Sequence, residues 1–188
     1  MRSSRLLRAG LILALSAAPA AAEVVERILA VVDSRPVLLS EVRLVQLLRN
    51  VDQGQATQVV IDERLMFREA TRVPQASVDA EEEERAYQSL EKRLPDLGQA
   101  PEAELRRLGR REATILKYLE FRFRSQVRAG EDEIRAAYAE KYAADPAAPP
   151  FEQMRAALAE QVEARKFDER IEAWVKELRA GAEIRLNP

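Results

Sequence analysis

Ile28-Leu-Ala-Val-Val-Asp-Ser-Arg-Pro-Val-Leu-Leu-Ser-Glu-Val42 is the stretch that decides the fold of this chain. Two short aliphatic runs, Ile28–Val32 and residues 37–39, flank the polar segment Asp33-Ser34-Arg35-Pro36. Turn-forming residues between two β-prone runs predict a small hairpin. Ser40 then offers a side-chain oxygen to free amides, and Glu41 puts negative charge on the following turn, so a helix is expected to start there. Everything after it reads as helical until the last few residues. The expectation is a mostly α fold carrying a small N-terminal β-hairpin.

Outward from this stretch, the N-terminus has the pattern of an export signal. Arg2, Arg5 and Arg8 precede an uncharged Ala- and Leu-rich run over residues 9–22, which ends in Ala20-Ala21-Ala22. The run has 14 residues, too few at about 1.5 Å each to span roughly 30 Å of hydrocarbon. Cleavage after Ala22 is therefore expected, which makes residues 23–188 the exported mature chain with no stable membrane insertion. Arg2 and Arg5 are not adjacent, so a twin-arginine route is not indicated.

Composition excludes many chemistries. The 188 residues include no Cys and no His, which removes thiolate nucleophiles, disulfides and the usual neutral-pH base and metal ligand. The six glycines are scattered, so no Gly-rich phosphate loop exists. Losing three signal arginines takes the 30 basic residues to 27 against 32 acidic ones, and the net charge from −2 to −5. That balance exerts no general pull on nucleic acid. No catalytic residue, cofactor site or metal site is assigned.

Seven helices are expected, over about 40–50, 55–72, 77–94, a short one from Pro101, 110–129, 131–142 and 151–179. Ser77 is the expected cap of the third, and Gly130 the expected terminator of the fifth. Residues 143–150 (Ala-Ala-Asp-Pro-Ala-Ala-Pro-Pro) read as a linker. Ala182-Glu-Ile-Arg-Leu186 alternates apolar and charged residues, as an edge strand does. Because an isolated hairpin is marginal, Ile184 and Leu186 are expected to pair with Ile28–Val32.

Two charge features stand out. Glu81, Glu82, Glu83 and Glu84 point about 100° apart on a helix, so they form a solvated face near a helix start and not a metal site. Arg106, Arg107, Arg110 and Arg111 are interleaved with Glu102, Glu104 and Glu112, which favours surface pairing over binding of phosphate or lipid headgroups.

On the fifth helix, Ile115, Leu116, Leu119, Phe123 and Val127 share a core stripe about 120° wide. Phe121 falls opposite it and Tyr118 about 60° from Phe121. Either a second helix covers these two, or they are the candidate contacts for an unfolded client chain. On the seventh helix, Phe151, Met154, Leu158 and Val162 share one face. Phe167, Ile171, Trp174, Val175 and Leu178 share a nearly opposite one. The switch near Ala164 implies a kink or two halves packed on different partners, with Trp174 in the core.

These residues together resemble the SurA N-terminal-domain family of periplasmic chaperones. Residues 28–42 look like its entry motif. Arg165-Lys-Phe167 through Trp174 to Leu178-Arg-Ala180, then Ile184-Arg-Leu186, look like its closing helix and strand, and Glu63-Arg-Leu65-Met66 is similar too. The likeness covers nearly all of residues 23–188 and makes them a single chaperone core: a helical part to 142, a linker over 143–150, and a long helix with its strand over 151–188. Family members usually insert parvulin-type prolyl isomerase domains between the sixth and seventh helices, where this chain has only the linker. The resemblance implies an ATP-independent holdase for unfolded or partly folded proteins, outer-membrane proteins in particular, without isomerase activity. The alternative is a periplasmic scaffold for one specific folded partner.

Overall fold

The computed structural model describes residues 26–94, 101–143 and 147–187. The expected export signal over 1–22, most of the loop after residue 94 and the middle of the 143–150 linker lie outside them. Among the described residues the chain forms three short strands and six helices: β1 (Ile28–Val32), β2 (Arg35–Leu38), α1 (Leu39–Arg49), α2 (Gln53–Ala70), α3 (Ala80–Arg93), α4 (Glu102–Phe123), α5 (Glu131–Tyr142), α6 (Phe151–Ala180) and β3 (Ile184–Leu186).

The hairpin forms with a tighter turn than its chemistry suggested. Only Asp33 and Ser34 make the connection, at φ 45° and 68°, and Val32 pairs with Arg35. Two left-handed central residues are what a two-residue hairpin needs to match strand twist. Pro36 thus sits within β2, opposite Val31, which is tolerable because β2 is an outer strand of the order β2-β1-β3. β3 runs antiparallel on the other side of β1, with Ala30 opposite Leu186 and Val32 opposite Ile184. Asp33 and Glu183 fasten this closure: the Asp33 amide donates to the Glu183 carbonyl at 3.0 Å, and the Glu183 amide donates to Asp33 Oδ1 at 2.9 Å.

Several boundaries differ from the expected ones because the caps are different residues. Leu38, not Ser40, stands at the N-terminus of α1, and its amide donates to Glu41 Oε2 at 3.2 Å. Asp79, not Ser77, caps α3: its Oδ1 accepts from the Glu82 amide at 2.9 Å, and Glu82 Oε2 accepts from the Asp79 amide. The expected fourth and fifth helices are one helix, α4, which ends at Phe123 in a 3₁₀ turn over Arg124–Gln126. Gly109, inside α4, is where α3 comes closest. A Cβ there would stand 3.2 Å from the Ala86 carbonyl carbon and the Tyr87 nitrogen.

Three apolar clusters hold the elements together. Leu29, Val32, Val37, Val42, Val45, Val60, Ile61 and Leu65 join the sheet to α1 and α2. Leu44, Leu90, Leu105 and Leu108 join α1, α3 and α4. Ile115, Tyr118, Leu119, Phe123, Phe167 and Trp174 join α4 to α6. α6 is helical throughout, about 45 Å long at 1.5 Å per residue. Its first half packs on α5, where Phe151 meets Tyr138 edge-on at 5.5 Å, and its second half packs on α2 and α4. The change of stripe near Ala164 is therefore a change of partner.

One carboxylate lies inside. Glu63 on α2 is 3% exposed. Arg49 of α1 reaches it at 2.7 Å and Arg111 of α4 at 3.3 Å. Arg111 also contacts Glu41, which Arg64 holds from the other side. Burial pushes the Glu63 carboxyl above its ordinary range, and this outweighs the opposing pull of Arg111 and then Arg49. The folded chain consequently keeps this proton over a pH window, above the ordinary value of 4.5, in which the unfolded chain has lost it. Stability from this group falls as pH rises through that window. Glu63→Gln has no such proton, so its stability relative to the parent should increase as pH rises above the ordinary value of 4.5. Urea denaturation at a series of pH values checks this; a difference that does not change with pH contradicts it.

Candidate functional site

α4 packs on α3 near its start, on α2 along its length and on α6 near its end. A helix packed on several partners buries a wider stripe than one packed on a single partner. Two large apolar residues stay exposed on α4, on different sides of the helix. Phe121 is 55% exposed and Leu116 57% exposed.

The two candidate contacts separate. Tyr118 is 4% exposed, its ring stacked on Trp174 at 5.2 Å with planes 29° apart, and its hydroxyl accepts from Arg122 Nη1 at 2.8 Å. Tyr118 is thus part of the core, which corrects its placement as a surface contact. α6 passes over that side of α4 and widens the buried face beyond the 120° stripe. Phe121 stays outside. Leu116 is corrected in the other direction: it lies at the edge of the expected core stripe, and neither α3 nor α6 reaches it. Trp174 is 6% exposed, with Phe123 edge-on at 5.6 Å, and is a core residue as expected.

Two grooves flank the exposed apolar residues. Phe121 stands at the rim of an open groove of about 700 Å³ between the end of α4, the Arg124–Gln126 turn and α6. Phe123 and Trp174 form its floor, and Arg122, Arg170 and Glu177 line its sides. Arg122 lies 5.7 Å from the Trp174 ring centre and 5.3 Å from that of Phe123, so its cation faces aromatic surface. Leu116 borders a second groove of about 460 Å³, with Met66, Leu90 and Leu119 among its walls and Glu63 and Arg49 at one end.

Ile28, Leu47 and Leu186 are exposed elsewhere, and the surface between these residues is charged and extensively paired. Glu82 meets Lys117 at 2.8 Å, Glu84 meets Arg106 at 2.7 Å, and Arg106 also reaches Glu102 at 2.7 Å. The acidic run on α3 and the basic cluster on α4 answer each other across the helix pair. The Lys117 ammonium holds Glu82, and the Arg106 guanidinium holds Glu84, below the usual carboxylate range. Among the described residues no group of three or more Asp or Glu could hold a metal ion, and no helix is long and apolar enough to cross a membrane. The chemistry available at the grooves is adsorption: apolar and aromatic surface for a side chain, with guanidiniums to meet carbonyls or carboxylates. Comparison with known protein families finds none that matches this chain, and no curated protein matches it.

Burial separates the two aromatics experimentally. Phe121→Ser should leave stability within about 0.5 kcal/mol of the parent, as surface changes do. Tyr118→Ser should cost about 3–5 kcal/mol, the range of large core truncations. Urea midpoints of the two variants decide between them; equal losses contradict the assignment.

Proposed function

We propose that this protein is an ATP-independent holdase of the periplasm. In this account it keeps unfolded or partly folded proteins, outer-membrane proteins in particular, from aggregating, and it has no prolyl isomerase activity of its own. The observation that carries the proposal is Phe121, an exposed aromatic above a groove floored by Phe123 and Trp174. A holdase needs apolar surface that is accessible yet confined, so that the chaperone does not itself aggregate. Leu116 and Phe121 supply such surface on one helix, and the ion pairs around them supply the charged setting. The order of hairpin, helices, long closing helix and returning strand supports the same reading through its likeness to the SurA N-terminal-domain family. With no nucleotide cycle to eject a client, release depends on weak, reversible binding.

Two measurements test this. Residues 23–188, titrated against an outer-membrane barrel protein diluted from urea, should suppress light scattering. Phe121→Ser should weaken that suppression several-fold while melting stays unchanged. Undiminished aggregation, or binding restricted to one folded partner at a fixed ratio, would refute the proposal. In a peptide assay free of host isomerases, turnover of the Xaa–Pro bond should stay at background, because the chain has neither the His nor the Cys on which parvulin-type sites rely. Measurable turnover would overturn that part.

A further inference from the structure

A third cavity lies away from Phe121, where the hairpin, α2 and α4 meet. Its volume is about 640 Å³, within the range of ligand-sized sites. Six arginines line it: Arg35 of β2, Arg64 and Arg68 of α2, and Arg107, Arg110 and Arg111 of α4. Asp33 is the one acidic residue in the lining, and Val32, Leu65 and Phe67 supply apolar wall. Three of the four arginines of the basic cluster on α4 thus face the same space as three from elsewhere in the chain. The fourth, Arg106, turns to Glu84 and Glu102.

The carboxylates nearby do not satisfy these cations equally. Arg64 and Arg111 are held by Glu41 and Glu63, and Arg68 by Asp33 and Glu69. Arg107 and Arg110 have only distant partners, Glu104 and Glu83, each at 3.8 Å, and are largely exposed. Arg35 makes no ion pair among the described residues. Each guanidinium carries five donors in a planar fork suited to a carboxylate. A concave wall of one sign of charge also focuses its field on what enters.

We infer that this cavity is a binding site for an acidic segment of polypeptide, with carboxylates seated on Arg35, Arg107 and Arg110 and a neighbouring apolar side chain against Val32, Leu65 and Phe67. Charge complementarity selects the occupant: a basic segment meets repulsion here, and a purely apolar one leaves the rim cations unmatched. That the occupant is a polypeptide rests on the holdase reading. It gives that chaperone a preference among client segments, acidic and apolar together.

The test uses residues 23–188 and three rhodamine-labelled decapeptides of alternating sequence, Glu-Leu, Ser-Leu and Lys-Leu, with binding read by fluorescence anisotropy. The Glu-Leu peptide should bind at least about tenfold more tightly than the Lys-Leu one, and added salt should reduce the gap. Arg107→Glu with Arg110→Glu should weaken Glu-Leu binding at least about tenfold and reverse the preference. Both residues are exposed, and unchanged melting confirms that the variant folds. Arg35→Glu alone should give a loss in the same direction. Equal binding of all three peptides, or a double variant that binds like the parent, overturns the site. So does inorganic pyrophosphate displacing the peptide at equal concentration, which would make it a small-anion site. Aggregation suppression by the parent is scored separately. Suppression without peptide discrimination removes this site and leaves the holdase, whereas discrimination without suppression does the reverse.

Discussion

Burying the Glu63 carboxylate obliges two other helices to come to α2. An isolated charge in a protein interior is prohibitively costly unless cations and hydrogen bonds meet it. Arg49 arrives from α1 and Arg111 from α4, and Arg111 extends the network to Glu41 at the first turn of α1. Apolar packing between these helices is tolerant of small slides, since one aliphatic contact resembles the next. A guanidinium on a buried carboxylate is not. The network therefore sets the register of α4 against α1 and α2, and much else follows from where α4 lies.

With α4 placed, its two ends find different neighbours. Near the start, Gly109 lets α3 approach until backbone nearly touches backbone, and the acidic run of α3 meets the basic residues of α4. Near the end, α6 lies over Tyr118, Leu119 and Phe123 and brings Trp174 onto them. α6 can reach that place because β3 ties its far end to β1. The chain ends are joined through Ile184–Leu186, and the long helix is drawn across α2 and α4 in consequence. Leu116 and Phe121 are what α2, α3 and α6 leave uncovered, on different sides of α4. The proposed client surface is thus set by the limits of packing on either side of α4.

Much of this was legible in the residues alone. The hairpin, the third strand and the core position of Trp174 follow from alternation and helical spacing, which are local signals. The bounds of α5, Glu131 and Tyr142, are legible too, but Gly130 precedes α5 with φ −75° and is not the expected terminator of the helix before it, which ends at Phe123. Other features depend on partners that one helix cannot announce. Tyr118 reads as exposed because a helical projection assumes one covered face, and α4 packs on α2, α3 and α6. The boundary expected near Gly109 is absent because close approach of α3, not chain termination, explains that glycine. Burial of Glu63 is unexpected from its residue type, since an acidic residue is ordinarily assigned to the surface. A signal was present: Ala56, Val60, Glu63 and Phe67 follow the spacing of a buried helical stripe, and Ala56 and Val60 are fully buried. The arginine-lined cavity was half visible as the α4 cluster. Its other half comes from β2 and α2, which only the fold brings near.

The central claim is that Phe121, near the end of α4, is where a client chain is held. Photo-crosslinking tests it most directly. A benzophenone amino acid is placed at Phe121, and separately at Leu47 on α1, which is about as exposed. Each protein is then irradiated with an unfolded barrel protein present. The account predicts strong crosslinks from position 121 that fade once the client folds, with few from position 47. Equal crosslinking from the two positions, or none from 121 while aggregation is still suppressed, would contradict it.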